Sequence, residues 1–330
     1  MKRKIVLFVV LGIGTVGFGA GTLTPPGAPA PTMKTLDEID QSISNTTATV
    51  KIAEPRTPVV AGASGISILS GGTIQITQSG SYYLTENLTV SSGDGIQINA
   101  SGVTVDLQGF TIRSTGGYGN GIGILASHVS IFNGHIESRT IYDSGASGNQ
   151  YTGDGFTRGI YAGSSDYTSI RIRDVSVSRC RYCGIEITSN DSLVESCTVK
   201  TIANVGIKAG IVNNCSATTC GGVAIYGVQI TYCRGYSTGS YGIFSLGTVA
   251  NSYGYTSSTS IFSDGIQAVE AVQNSYGFSH KGDGIQSKIV SYSSGRSNGT
   301  ASTADGIDAT IAIGCIAEGG ENITHKYLMP

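Results

Sequence analysis

The chain has 330 residues with 48 Gly, 7 Pro and no Trp, 13% of them charged, and its mean hydropathy is +0.09. Gly and β-branched residues disfavour helix, and the Val and Ile content at this low charge excludes a disordered chain. The glycines follow no three-residue rule, so collagen is excluded too, and an all-β chain with many turns and a large buried core remains.

At the N-terminus, Lys2, Arg3 and Lys4 precede an apolar run from Ile5 to Phe18, and Gly19-Ala20 offers small residues for cleavage. This predicts a signal peptide over residues 1–20. The run is too short and too Gly-interrupted for a membrane span, so the mature form is expected to have no transmembrane segment. No Cys lies near Ala20, so no lipid anchor is expected. Removing the signal moves the formal charge from -2 to -5, which gives no reason to expect nucleic-acid binding. The mature protein is expected to be secreted or held at the cell surface.

Residues 21–64 form a Pro-rich leader, "GTLTPPGAPAPT", followed by a capping helix. Thr35-Leu36-Asp37-Glu38 has capping-box spacing, with Leu36, Ile39 and Ile43 on one helical face. Such a helix would suit the open first coil of a repeat array.

The repeat itself is carried by two columns. A Gly-Ile step, or its Ala224-Ile225 equivalent, recurs at residues 159, 184, 206, 224, 242, 265, 284 and 306. A second column keeps step with it through Val175, Cys197, Cys215, Cys233, Ser252, Ser275, Ser293 and Cys315. Both intervals run from 18 to 25 residues, the period of a solenoid. Just before the second column stand Asp174, Asn214, Asn251, Asn274 and Gly314, residues that tolerate the positive φ of a sharp bend. Each unit therefore reads as strand, bend, strand, loop, strand, and leucine-rich repeats are excluded because the Leu framework is missing.

Upstream, "GIQINASGVTVDLQGFTI" from Gly95 aligns with "GIGILASHVSIFNGHI" from Gly121. Ser138 to Arg158 interrupts the pattern and reads as a loop protruding from one coil. The solenoid is expected over residues 65–320, about ten coils and on the order of 50 Å long. Residues 321–330, "ENITHKYLMP", form a tail outside the repeat.

Cys197, Cys215 and Cys233 share one column with Ser252 and Ser275, so small buried side chains are expected there rather than disulfides or metal ligands. Cys180 and Cys220 flank Ile202 in another column, and Cys183 aligns with Val205 and Val223. The residue before the Gly-Ile step becomes Asp in three consecutive coils, Asp264, Asp283 and Asp305. Carboxylates that close raise one another's pKa or recruit a cation, the equipment of acid–base or Ca²⁺ chemistry. Asp-Gly also makes a turn, and Asp94-Gly95 and Asp154-Gly155 repeat the dipeptide elsewhere, which favours that structural role. The four histidines lack metal-ligand spacing and are expected at the surface. Tyr253 and Tyr276 share a column, as do Tyr255 and Phe278, either as a sugar-binding ladder or as a stack under a loop.

The Gly-Ile strand, Asn bend and 18–25-residue period resemble right-handed parallel β-helix proteins of the pectin-lyase-like superfamily. "GSYYLTENLTV" from Gly80 and the leader from Leu23 are similar to exported bacterial β-helix proteins of uncharacterised function. The resemblance implies an all-β, single-stranded right-handed parallel β-helix. That superfamily includes lyases, hydrolases, epimerases, adhesins and tailspikes. Similarity to polygalacturonase-type hydrolases would make Asp264 and Asp283 the acid–base candidates, with Asp305 beside them. The Asn-Thr before the first Asp is replaced by Phe262-Ser263, however, and the Gly-His-Gly and Arg-Ile-Lys motifs are missing. A pectate-lyase reading would need bound Ca²⁺ and a catalytic Arg, for which Arg296 is the nearby candidate.

The expected function is therefore an exported, non-catalytic β-helix protein associated with a polysaccharide or cell-envelope component, requiring no cofactor. Tyr253 and Tyr276 are its candidate ligand-binding residues. The alternative is a polysaccharide hydrolase, lyase or epimerase using the Asp column, the only case in which Ca²⁺ is expected. Oligomeric state stays open.

Overall fold

The structure, a computed structural model, describes residues 35–41, 56–69, 71–145, 150–299, 304–319 and 321–327. The signal peptide and the Pro-rich run lie outside the described residues. The chain divides into two units, Met1–Ala53 and Glu54–Pro330. In the first, residues 36–41 form a short helix. Its capping box is complete: Thr35 N–H donates to Glu38 Oε2 at 2.9 Å, and Glu38 N–H donates to Thr35 Oγ1 at 3.2 Å. Leu36 and Ile39 are both exposed.

The second unit is a parallel β-solenoid of about 12 turns. The Gly-Ile column stacks in register, from Ile96 on Ile122 and Ile122 on Ile160 through to Ile285 on Ile307. Each of these isoleucines points inward and is fully buried. Removing such a side chain from water is worth roughly 2–3 kcal/mol, so this one column supplies a large share of the driving force.

Turns beyond the expected ten come from pairing that outlasts the side-chain pattern. Thr57–Pro58 stacks on Gly80–Tyr83, Ile74–Ile76 stacks on Ile96–Ile98, and Glu321–Tyr327 stacks on Ile307–Ile313. In the last turn Glu321 takes the place of the column's Ile. Backbone ladders need only N–H and C=O groups, so coils can continue where the sequence signature has faded. At the N-terminal end Ile66–Ile68 pairs antiparallel with Ile74–Ile76, covering an edge that would otherwise be open.

The Ser138–Arg158 interruption contains a small antiparallel hairpin, Ile141–Tyr142 against Tyr151–Thr152. It folds back along the solenoid instead of standing away from it. The Tyr151 hydroxyl reaches Thr238 Oγ1 at 2.9 Å, and its ring packs 4.9 Å from that of Tyr142.

In the C-terminal coils the cross-section is pinched. Gly254 and Gly277 alternate with outward aromatics, and a Cβ at either would fall inside contact distance of a carbonyl oxygen, of Gly265 and Gly284 respectively. Two strands of one coil meet backbone to backbone there, which only glycine permits.

Candidate functional site

The second column is a hydrogen-bonding ladder as well as a slot for small residues. From Cys215 to Ser293 each side chain donates to the carbonyl two residues back and accepts the N–H of the equivalent residue one coil earlier. Cys215 Sγ donates to Asn213 O at 3.1 Å and accepts from Cys197 N at 3.4 Å. Ser275 Oγ donates to Gln273 O at 2.7 Å and accepts from Ser252 N at 3.1 Å. Ser252 does the same toward Ala250 O and Cys233 N. All seven cysteines are free, six are buried and Cys315 is half-buried. Burial of Cys197, Cys215 and Cys233 agrees with the sequence reading of small buried thiols, and the ladder gives it a hydrogen-bonding reason. Cys180 and Cys220 begin a column that stays apolar through Ile202 and then turns to Ser237.

Ser275→Ala is therefore expected to destabilise by about 1–3 kcal/mol, because Ser252 N–H and Gln273 C=O lose a buried partner. Ser275→Cys is expected to cost much less, since Cys fills the same slot upstream. Urea unfolding of the two variants checks this, and a Ser275→Ala variant as stable as the wild-type protein would contradict the ladder.

The bend residues adopt the left-handed conformation as expected: φ is 53° at Asp174, 51° at Asn214, 50° at Asn251, 46° at Asn274 and 59° at Gly314. Sequence reasoning missed Tyr232 and Tyr292, which occupy the same bend column with φ of 53° and 47°. Holding a bulky side chain there costs about 1 kcal/mol relative to Gly. An aromatic standing where neighbouring coils use Asn was the available signal. Tyr232 is 64% exposed and Tyr292 50% exposed.

Together with the residues that follow the bend, they border an open groove of about 830 Å³. It runs along the solenoid axis from Cys197 to Ile316, with Tyr253, Tyr276, Asn251 and Asn274 in its lining and Arg234 its sole charged residue. Tyr253 and Tyr276 stack face to face, their centroids 5.3 Å apart, and Arg234 lies over Tyr253 at 5.5 Å. Their shared faces are thus used within the ladder, and edges and hydroxyls are what they offer outward. A parallel stack joins Tyr236, Tyr255 and Phe278, with 4.8 Å between successive centroids.

Asp264, Asp283 and Asp305 are brought together in a different place. They line a cleft of about 840 Å³ with Tyr241, Phe262, Asp308 and Glu321. Asp264 Oδ1 accepts the Asp283 N–H at 2.9 Å, and Asp283 Oδ1 accepts the Asp305 N–H at 2.8 Å. Asp264 and Asp283 thus each support the backbone of the coil that follows. Asp94 does the same for Asn120 N at 2.7 Å, far upstream in the same column. The turn role read from the Asp-Gly dipeptides is therefore an inter-coil bond rather than a bond to the residue's own turn.

Burial and the neighbouring Asp283 charge push Asp264 up to about 7, against the pull of the Asp283 N–H. Burial, with the charges of Asp308 and Asp305, pushes Asp283 up to about 6. Asp305 is raised by burial and by Asp308. Beside them Gln267 donates to Gln286, which donates to Asp308 at 3.2 Å, a side-chain ladder along the cleft. Arg296 does not line the cleft: it lies over Phe278 and 3.6 Å from Glu318. The four histidines are exposed. Among the described residues no His, Cys, Asp and Glu are grouped as a metal site, and no helix is long and apolar enough to cross a membrane.

No family model matches the chain, and no curated protein or solved structure matches it either.

Proposed function

We propose that the chain is an exported, non-catalytic β-solenoid that holds a glycan or another cell-envelope component in the groove along its bends. The observation that carries this reading is the groove itself: open, axial, bordered by tyrosines and Asn amides, and free of carboxylates. Aromatic rings flanked by amides and hydroxyls suit sugars, which present apolar C–H faces ringed by hydroxyl groups. The spending of the Asp264 and Asp283 carboxylates on backbone N–H groups supports a non-catalytic role. On this reading the chain keeps the fold of the pectin-lyase-like superfamily while its Asp column serves the scaffold.

The second reading is a polysaccharide hydrolase or lyase acting in the acidic cleft, with Ca²⁺ as an added requirement in the lyase case. It is favoured by Asp264 and Asp283 titrating near 7 and 6 in one cleft, the range of a catalytic acid. Affinity electrophoresis on a polysaccharide panel, with mass-spectrometric analysis of products with and without Ca²⁺, separates the two. Retention by at least one glycan without product release is expected. Oligosaccharide release that disappears in Asp283→Asn would transfer the function to the acidic cleft.

A further inference from the structure

A third concave site shares no lining residue with the groove or the acidic cleft. It lies at the corner where the Gly-Ile strands of three successive coils begin, with Asn120, Arg158 and Cys183 in register. Two residues before these stand Tyr118, Phe156 and Arg181, and the backbone ladder reaches them, Arg181 N–H donating to Phe156 O at 3.1 Å. Phe156 is fully buried in the core, so the middle coil puts no side chain outward at that position. Arg181 crosses the gap, and its guanidinium lies 4.5 Å from the centroid of the Tyr118 ring, two coils or roughly 10 Å of backbone away. The result is a pocket of about 390 Å³ lined by Tyr118, Thr157, Arg158, Arg181 and Tyr182.

Two guanidiniums set its charge. Arg158 lies over the Tyr161 ring at 4.2 Å and the Tyr182 ring at 5.1 Å. Its Nε donates to Glu186 Oε2 at 2.5 Å, and the same carboxylate takes Lys208 at 3.8 Å. Among the described residues no carboxylate pairs with Arg181. Asp154, on the turn leading into Thr157, pairs with Arg139. Arg158, Arg181 and Lys208 thus share one carboxylate, and none stands in the lining. Rings beneath the guanidiniums fix their planes and leave the donor-bearing edges to a ligand. Two like charges beside one pocket repel each other until an anion enters it. A carboxylate has two oxygens in one plane and matches one guanidinium edge. A tetrahedral oxyanion has three outward oxygens, which two guanidiniums and the Thr157 hydroxyl can share.

We infer that this corner pocket binds a phosphate or sulfate group, anchored by Arg158 and Arg181 with Thr157 as a third donor. Tyr118 and Tyr182, 68% and 44% exposed, flank the molecule that carries the group. The inference stands apart from the groove and its occupant.

Calorimetric titration of the full chain with inorganic phosphate, inorganic sulfate, glucose 6-phosphate, glucuronate and glucose tests this. The phosphate and sulfate probes are expected to bind, glucuronate at least about tenfold more weakly, and glucose not at all. Arg181→Gln is expected to weaken glucose 6-phosphate binding at least about tenfold with the melting temperature unchanged, since Arg181 has no ion pair to lose. Arg181→Lys is expected to restore only part of it, because an ammonium cannot lie on the ring and offer two parallel donors. Glucose 6-phosphate binding more tightly than inorganic phosphate would support the site with the two tyrosines against the carrier. Equal affinities would support it with the free ion as the source. No binding of any phosphate or sulfate probe, glucuronate binding as tightly as glucose 6-phosphate, or undiminished binding in Arg181→Gln would each overturn the inference.

Discussion

Replacing Asp264 by Asn is expected to make the protein more stable at pH 8 and to leave it nearly unchanged at pH 4. Asp264 is 5% exposed, and burial beside Asp283 lifts its pKa from 3.8 to about 7. A carboxyl whose folded pKa lies above its unfolded value binds its proton more tightly in the folded state. Its contribution is therefore complete below pH 4 or so and is lost as pH rises through about 7. Over that window the loss is on the order of 4 kcal/mol. Asn keeps an acceptor for the Asp283 N–H and carries no charge to bury. An amide is also tolerated in this column, since Asn120 occupies it beside Asp94. The measurement is the difference in melting temperature between variant and wild type across pH 4 to 8. A difference that does not grow with pH would mean that Asp264 is not the titrating group.

Gly277→Ala is expected to cost more than about 3 kcal/mol, an effect reserved for clashes that the backbone itself cannot escape. The added Cβ would run into the Gly284 carbonyl oxygen and the Ile285 side chain, on the facing strand of the same pinched coil. That strand is fixed from both sides, by Ile266 and Ile307 in the adjacent coils, so it has little room to retreat. Thermal unfolding followed by circular dichroism reads the loss. A variant that melts with the wild type would show that the two strands do not approach as closely as described.

Both predictions turn on features that one-dimensional reading sees only in part. The Gly-Ile step, the Asn bend and the Cys/Ser column were legible because a solenoid stacks like on like. A repeated local requirement leaves a repeated letter, and the registers of Ile185, Ile207 and Ile225 follow it directly. The column of Asp264, Asp283 and Asp305 was visible for the same reason. Its role was not, because the bonds that Asp264 and Asp283 accept come from backbone N–H groups one coil away, and backbone groups leave no letter in the sequence.

Tyr232 and Tyr292 were hidden differently. Tyr232 stands between Asn214 and Asn251, and Tyr292 between Asn274 and Gly314, so the repeat made them look like exceptions to a rule about turns. Only the structure shows that the exceptions sit at φ near 50° and border one groove with Tyr253 and Tyr276. The fold-back of the Tyr151 hairpin onto Thr238 belongs to the same class, a contact spanning 87 residues with no periodic trace.

What the sequence determined by itself is the repeat, and with it the parallel stacking, the buried isoleucine column and the free core thiols. These follow from local steric and hydrophobic demands that each coil must meet alone. The tertiary structure decided where the carboxylates spend their hydrogen bonds, which tyrosines stack and which stand exposed, and how many turns the backbone continues. Those outcomes depend on distances between coils and between faces of one coil, which are set by packing in three dimensions.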